Sequence, residues 1–262
     1  MMTVSISIAS GKGGVGKTNC AVNLSLALCK QGKKVVLFDT DFGMANAHIL
    51  LGTNPRLSAA SFLKGEAKLD DILTEAPQNL KFIAGGSGLL ELLNLNNETR
   101  YRMLQSLSSL EDRIDYLIVD TPAGASDSTL FFTSATDIPL VVLVAEPTSF
   151  LDAYALIKAA HIEKGLTQFS VMVNMANSAS SAQQNFKKFS EICNRFLDVK
   201  LTYAGMVPQS NAIRRSIVKR KPITIGMPSS PEAKSFADLA NKIPSLPHNE
   251  HDGITFFSKD KG

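Results

Sequence analysis

Two lysines, four glycines and a threonine fall within eight residues near the N-terminus, Gly11-Lys-Gly-Gly-Val-Gly-Lys-Thr18. A glycine, four residues, then Gly-Lys-Thr is the spacing of a phosphate-binding loop. Gly13, Gly14 and Gly16 let backbone N–H groups turn inward on phosphate oxygens, where a side chain would obstruct. Gly11 and Val15 complete the loop, and Asn19, which follows it, is a further candidate nucleotide contact. Lys17 has the reach for the β and γ phosphates, and Thr18 can place its hydroxyl on Mg²⁺. Lys12 is surplus to this cradle, because Lys17 already serves the loop's own phosphates.

Three acids could complete a hydrolytic site. Asp120 ends the apolar run Tyr116-Leu-Ile-Val, as an acid that holds Mg²⁺ through its water shell should. It opens Asp120-Thr-Pro-Ala-Gly124, whose glycine can pivot its N–H towards a γ-phosphate. Asp39 and Asp41 leave a second apolar run as Asp-Thr-Asp. Either could orient an attacking water or reach the metal through water, or it could cap the following segment.

Such acids work only if strands deliver them to one edge. Thr3–Ala9, Lys34–Asp39, Leu80–Ala84, Tyr116–Asp120, Leu140–Ala145, Phe169–Asn174 and Leu201–Val207 read as strands. Most are near-continuously apolar, which fits parallel strands covered on both faces. Helical stretches separate them: Asn19–Gln31, Thr99–Leu110, Phe150–Glu163, Ala182–Phe196 and Pro231–Ile243. The alternation predicts an α/β fold, a doubly wound, mostly parallel sheet flanked by helices. The loop between the first strand and helix would aim the helix N-terminus at an anion. Residues 1–243 read as one phosphate-loop NTPase domain, and residues 244–262 as a linker and short C-terminal tail. Pro244–Gly253 is expected to be too polar and proline-rich to pack, leaving Phe256 and Phe257 on a tether.

Composition bounds the setting. The 262 residues are enough for one sizeable α/β domain, and 44% hydrophobic with 19% charged is ordinary for a globular chain. A net charge of +3 does not mark a nucleic-acid binder, so any basic surface must be local. Cys20, Cys29 and Cys193 are too few and scattered for a disulfide framework. The absence of an n-region or cleavage site, together with short apolar runs, gives a cytoplasmic expectation. The four histidines show no metal-ligand spacing.

Lys12 within Lys-Gly-Gly-Val-Gly-Lys-Thr, together with Asp39-Thr-Asp41 and Asp120–Gly124, resembles the deviant-Walker-A ATPases of the MinD/ParA group. The likeness spans nearly the whole chain. It sharpens at Asp41–Gly52, Glu146–Lys158, Val173–Ala176 and Arg195–Asp198, which look most like the flagellar-number regulators of that group. The resemblance implies an ATPase that binds ATP and ADP with Mg²⁺. It implies that Lys12 reaches across an ATP-bound homodimer to the partner's phosphates and that Asp41 positions the hydrolytic water. It places Asn174, Val207, Pro208 and Gln209 at adenine and Glu146 near the ribose at the dimer interface. Independently, no Asn-Lys-x-Asp tetrapeptide for guanine occurs.

The implied partners are a flagellar GTPase or a transcriptional regulator. Only Met1 and Met2 precede the first strand, where the flagellar regulators often carry an N-terminal extension. Phe256 and Phe257 beside Lys259 and Lys261 suggest weak contact with the inner face of the cell membrane. Arg214, Arg215, Lys219, Arg220 and Lys221 form a basic cluster that reads as a solvated helix face or as a nucleic-acid contact, with Ile213 and Ile217 expected towards the core. A partitioning or division-site ATPase is the alternative function. An iron–sulfur carrier on the same fold is a distant one, since that class needs interface cysteines and no Cys-x-x-Cys occurs.

Overall fold

A computed structural model describes residues 3–42, 46–86, 97–249 and 255–257. Eight strands form one sheet in the order β3-β4-β2-β5-β1-β6-β7-β8. They are β1 (Val4–Ser10), β2 (Val35–Asp39), β3 (Thr74–Glu75), β4 (Lys81–Ile83), β5 (Tyr116–Ala123), β6 (Ile138–Val144), β7 (Gln168–Ala176) and β8 (Lys200–Pro208). Every pairing is parallel except the short edge strand β3 against β4. Thr74–Glu75 is too short to leave a periodic signal, and sequence reading missed it.

The faces split with a period of two. Val35 and Leu37 of β2 enter one core, while Val36 and Phe38 enter the other. In β6, Ile138, Leu140 and Val142 face one way, and Val141 and Leu143 the other. This two-sided burial is why the strands read as continuous apolar runs. Helix α1 (Lys17–Lys30) carries Leu24 and Leu28 into the first core. Short helices α2 (Ala47–Leu51) and α3 (Ala59–Leu63) follow β2, and α4 (Asn97–Leu107) precedes β5. On the other face, α5 (Asp127–Ser134), α6 (Pro147–Lys164) and α7 (Ala179–Phe196) cover the sheet. Helices α8 (Asn211–Val218), α9 (Ile223–Gly226) and α10 (Pro231–Lys242) complete the chain, and α10 packs beside α1.

Local chemistry sets the helix ends. Ser126, Ser178, Ser210 and Ser230 accept backbone N–H bonds as N-caps of α5, α7, α8 and α10. Helix α6 starts on Pro147 and stops at left-handed Gly165. In α8, Ile213 is half-buried as expected, but Ile217 is 40% exposed and Ser216 takes the buried position. The helix backs onto the core through Ile213 and Ser216, and its cations share the outer surface with the exposed Ile217 and Val218.

The expectation of a tethered tail is corrected. Leu246 is buried in the core, and the buried Asn249 donates from its backbone to Asp137 O at 3.0 Å. The Asn249 side chain also accepts from Gln168 N and donates to Gln168 O. The chain is thus pinned to the starts of β6 and β7 by hydrogen bonds that composition does not reveal. Phe256 and Phe257 are buried, and Phe256 stacks on Phe132 of α5 with 6.5 Å between ring centres. Lys259, Asp260 and Lys261 lie outside the described residues. Phe256→Ala is expected to lower stability by about 3–5 kcal/mol, the range for emptying a buried aromatic site. Urea denaturation checks this, and a loss below about 1 kcal/mol would show the ring is not part of the core.

Candidate functional site

The site is built where β1, β2, β5, β6 and β7 end. At β1, Ser10 accepts the Gly124 backbone N–H at 2.9 Å, which draws the two loops together. Ser10 Oγ donates to Lys12 O. The Gly11–Gly16 loop then leads into α1, whose N-cap is Gly16 with φ of 85°. That left-handed conformation favours glycine, and a Cβ there would meet Asn174 Nδ2 at 2.5 Å. Gly11 needs its missing side chain for another reason: a Cβ would overlap the Asp152 backbone of α6 at 2.1 Å.

Helix α1 has no side-chain cap and no acid in its first turn. Its first backbone N–H groups and its positive end are therefore left to an anion. Lys17 is buried beneath them and donates to Asp120 Oδ1 at 2.8 Å. Thr18 also hydrogen-bonds Asp120, and Asp39 sits opposite Asp120 in register. Burial pushes the Asp120 carboxyl up, Lys17 and Thr18 pull it down, and Asp41 pushes it up. Asp39 is pushed up to about 7, first by burial and then by Asp120. This is an all-oxygen carboxylate and hydroxyl set beside one lysine, which suits a hard cation and a phosphate chain rather than a soft metal.

Asp39 accepts from the backbone N–H groups of Asp41 and Ala47, at 3.0 and 3.3 Å. It ties down the segment that carries Asp41, as the capping alternative expects. Asp41 is half-buried close enough to act on Asp120. Residues 43–45, within the Asp41–Gly52 stretch, lie outside the described residues.

On the other flank, Lys12 donates to Glu146 Oε2 at 2.7 Å and to Thr148 Oγ1 at 3.1 Å. Both acceptors begin α6. In the single chain, Lys12 therefore points away from its own loop. Thr148 was missed from the sequence, because a threonine in a first helical turn carries no signal of a partner 136 residues away. Asn174 lies two residues before the end of β7 and donates to Val15 O at 2.7 Å. Gln209 N donates to Ala176 O, so Pro208 and Gln209 lie beside the end of β7. Val207 is fully buried in the α1-side core, so only its backbone faces that edge. Asn19 is buried and bonded to Asn23.

Cys20 and Cys193 are buried, Cys29 is half-buried, and burial pushes the thiols of Cys29 and Cys193 up to about 12. Among the described residues no His, Cys, Asp and Glu cluster is placed to hold a metal by itself. No described helix is long and apolar enough to cross a membrane.

Residues 3–169 match the family described as AAA domain, and residues 95–244 the family described as ParA, NUBPL iron-transfer P-loop NTPase. Antiactivator FleN of Pseudomonas aeruginosa is 38% identical over 96% of this chain and 91% of its own. Flagellum site-determining protein YlxH of Helicobacter pylori is 31% identical over 92% of this chain and 81% of its own. The crystal structure of the Pyrococcus furiosus cell division ATPase MinD superposes with a TM-score of 0.77 at 26% identity, covering 93% of this chain and 99% of that one. Its Pyrococcus horikoshii counterpart, complexed with Mg-ADP, gives 0.76 at 25% identity over 92% and 96%. The loop with its second lysine, the strand-end acids and these likenesses together place the chain in the MinD/ParA family of P-loop ATPases, among its flagellar regulators.

Proposed function

We propose that this chain is a dimerising ATP switch that regulates flagellar number or placement. The likeness to FleN and YlxH supports the cargo. The observation that carries the mechanism is Lys12, held by Glu146 and Thr148 on the outer side of its own loop. A lysine so placed can serve phosphates presented by a second copy.

ATP or ADP would be held by the Gly11–Thr18 loop, with Lys17 on the β and γ phosphates. Thr18 and Asp120 would hold Mg²⁺, with Asp39 and Asp41 acting through water. Bound Mg²⁺ neutralises charge developing on the phosphates. Asn174, Pro208, Gln209 and the Val207 backbone would take adenine, with Asn19 in the first turn of α1 close by. Glu146 would face the ribose at the dimer interface once Lys12 leaves it. Asp41 would orient the attacking water, and slow hydrolysis would reset the dimer.

The partner surface would engage a flagellar GTPase or a transcriptional regulator. The chain would work in the cytoplasm, with weak peripheral contact at the membrane. That contact would need the Phe256–Phe257 pair to leave its buried site. Nucleic acid has support only from the exposed cations Arg214, Arg215, Lys219, Arg220 and Lys221. Division-site positioning is the second reading, supported by the likeness to the MinD structures. Counting flagella and minicells in a deletion strain separates the two.

Lys12→Ala is expected to bind ATP and stay monomeric in size-exclusion chromatography. The reference is an Asp41→Ala chain, which should become a dimer with ATP and Mg²⁺. A reference that stays monomeric would remove the dimer reading.

A further inference from the structure

A second concavity opens where α1 ends and β2 and β4 begin, at the edge of the sheet opposite the phosphate loop. The 14 residues of α1 separate the two, a span of about 21 Å. The cavity holds about 290 Å³ and is lined by Lys33, Lys34, Lys81 and Arg113. Among the described residues no carboxylate lines it. Lys81 pairs with Glu75, and Arg113 pairs with Asp70 at 2.8 Å. Lys33 and Lys34 have no ion pair among the described residues. Asp115 accepts the backbone N–H of Lys34 at 2.7 Å, but its carboxyl lines a separate cavity that shares only Lys33 with this one. A helix C-terminus ordinarily repels an anion. Here the Leu28 and Cys29 carbonyls that end α1 already accept the N–H groups of Gln31, Gly32 and Lys33. The rim is held in an unusual shape. Gln78 and Asn79, which also line the cavity, take φ of 63° and 60°, and Asp112 beside Arg113 takes 66°. Non-glycine residues in that region mark backbone fixed by its surroundings, and such backbone collects at ligand clamps. Half-buried Leu73 and Ile114 add an apolar wall.

We propose that this cavity is a second small-molecule site, which takes a phosphorylated organic anion no larger than about a nucleoside monophosphate. The size is at the lower end of the roughly 300–1,000 Å³ that small-molecule sites span. A phosphate monoester carries roughly −1.5 to −2 charge at neutral pH, which matches the two unpaired lysines, whereas one carboxylate leaves a cation over. The Gln78 and Asn79 amides offer further donors, and Leu73 and Ile114 receive the organic part. Helix α1 and strand β2 run from this cavity to Lys17 and Asp39 at the other edge. The site goes beyond the nucleotide reading above and does not depend on it.

Hydrogen exchange of the nucleotide-free full chain locates the anion. The probes are ribose 5-phosphate, AMP and inorganic phosphate, each titrated to millimolar concentration. Ribose 5-phosphate and AMP should slow exchange in residues 29–36, 78–81 and 110–114, and inorganic phosphate should do so less at equal concentration. The Lys33→Gln/Lys34→Gln double variant should need at least about tenfold more of either organic probe, the low end for hydrogen bonds to charged groups. Unchanged exchange in β1 and β5 shows that its fold is intact. Lys187→Gln/Lys188→Gln removes the same charge from exposed positions on α7 and should bind as wild type does. Protection confined to residues 11–19 would overturn the proposal, because the anion would then have gone to the phosphate loop. So would an equal loss in the two double variants, which is the mark of net charge alone. Protection by inorganic phosphate equal to that by the organic probes would overturn the organic ligand. If AMP leaves residues 11–19 unprotected, that bears on the nucleotide reading, and the cavity segments still decide this one.

Discussion

Lys17→Ala is expected to reduce ATP hydrolysis by at least about a hundredfold, because it removes the point charge aimed at the transferring phosphate. The structure adds a second effect. In the free protein, Lys17 neutralises Asp120, which is 1% exposed and stands opposite Asp39. Alanine leaves two buried carboxyls with no cation between them. Removing one partner of a buried pair costs about 3–5 kcal/mol. The variant should therefore unfold at lower urea as well as being inactive. Lys17→Arg keeps the charge but not the shape of a compact ammonium. It should recover much of the stability and little of the activity. Wild-type turnover in Lys17→Ala would refute the assignment of the loop.

Asp41→Ala separates binding from chemistry. Asp41 follows β2 and lies outside the phosphate cradle, yet close enough to push on the Asp120 carboxyl. Its loss should leave ATP affinity and dimer formation near wild type. Single-turnover hydrolysis should fall roughly 10²–10⁴-fold, the range for a positioned acid–base group. Asp41→Asn keeps the size and loses the charge, so it should be as slow as alanine. Hydrolysis near the wild-type rate in either variant would assign the water to another group. Asp39→Ala should behave differently. Asp39 is tied to the backbone N–H groups of Asp41 and Ala47, so its removal should loosen the segment carrying Asp41 as well as slow turnover.

Much of this molecule is written locally. Gly11–Thr18 specifies a phosphate cradle because glycine spacing and one lysine are short-range requirements. The strands were legible because burial on both faces leaves unbroken apolar runs. Asp120 and Asp39 were legible because each directly ends such a run. The helix cores of α6 and α7 were legible, but both helices start three residues before the Phe150 and Ala182 read from the sequence, and α5 after Ser126 was not read at all. What the sequence did not carry depends on contacts between distant segments. Thr148 and Glu146 meet Lys12 only because β1 and β6 are neighbours. Asn174 reaches Val15 across 159 residues. Pro244–Gly253 reads as a linker because its residues are polar, yet Asn249 satisfies that polarity on the Asp137 and Gln168 backbones. Phe256 and Phe257 read as a free pair, yet Phe132 and its neighbours on α5 supply a buried face for them. The sequence by itself determined the cradle, the parallel sheet and the acids at its edge, because those follow from neighbouring residues and period. Only the tertiary structure decided where Lys12 rests, what Asn174 holds and where the tail goes. Each of those depends on which surfaces the packed sheet brings within hydrogen-bonding or van der Waals reach.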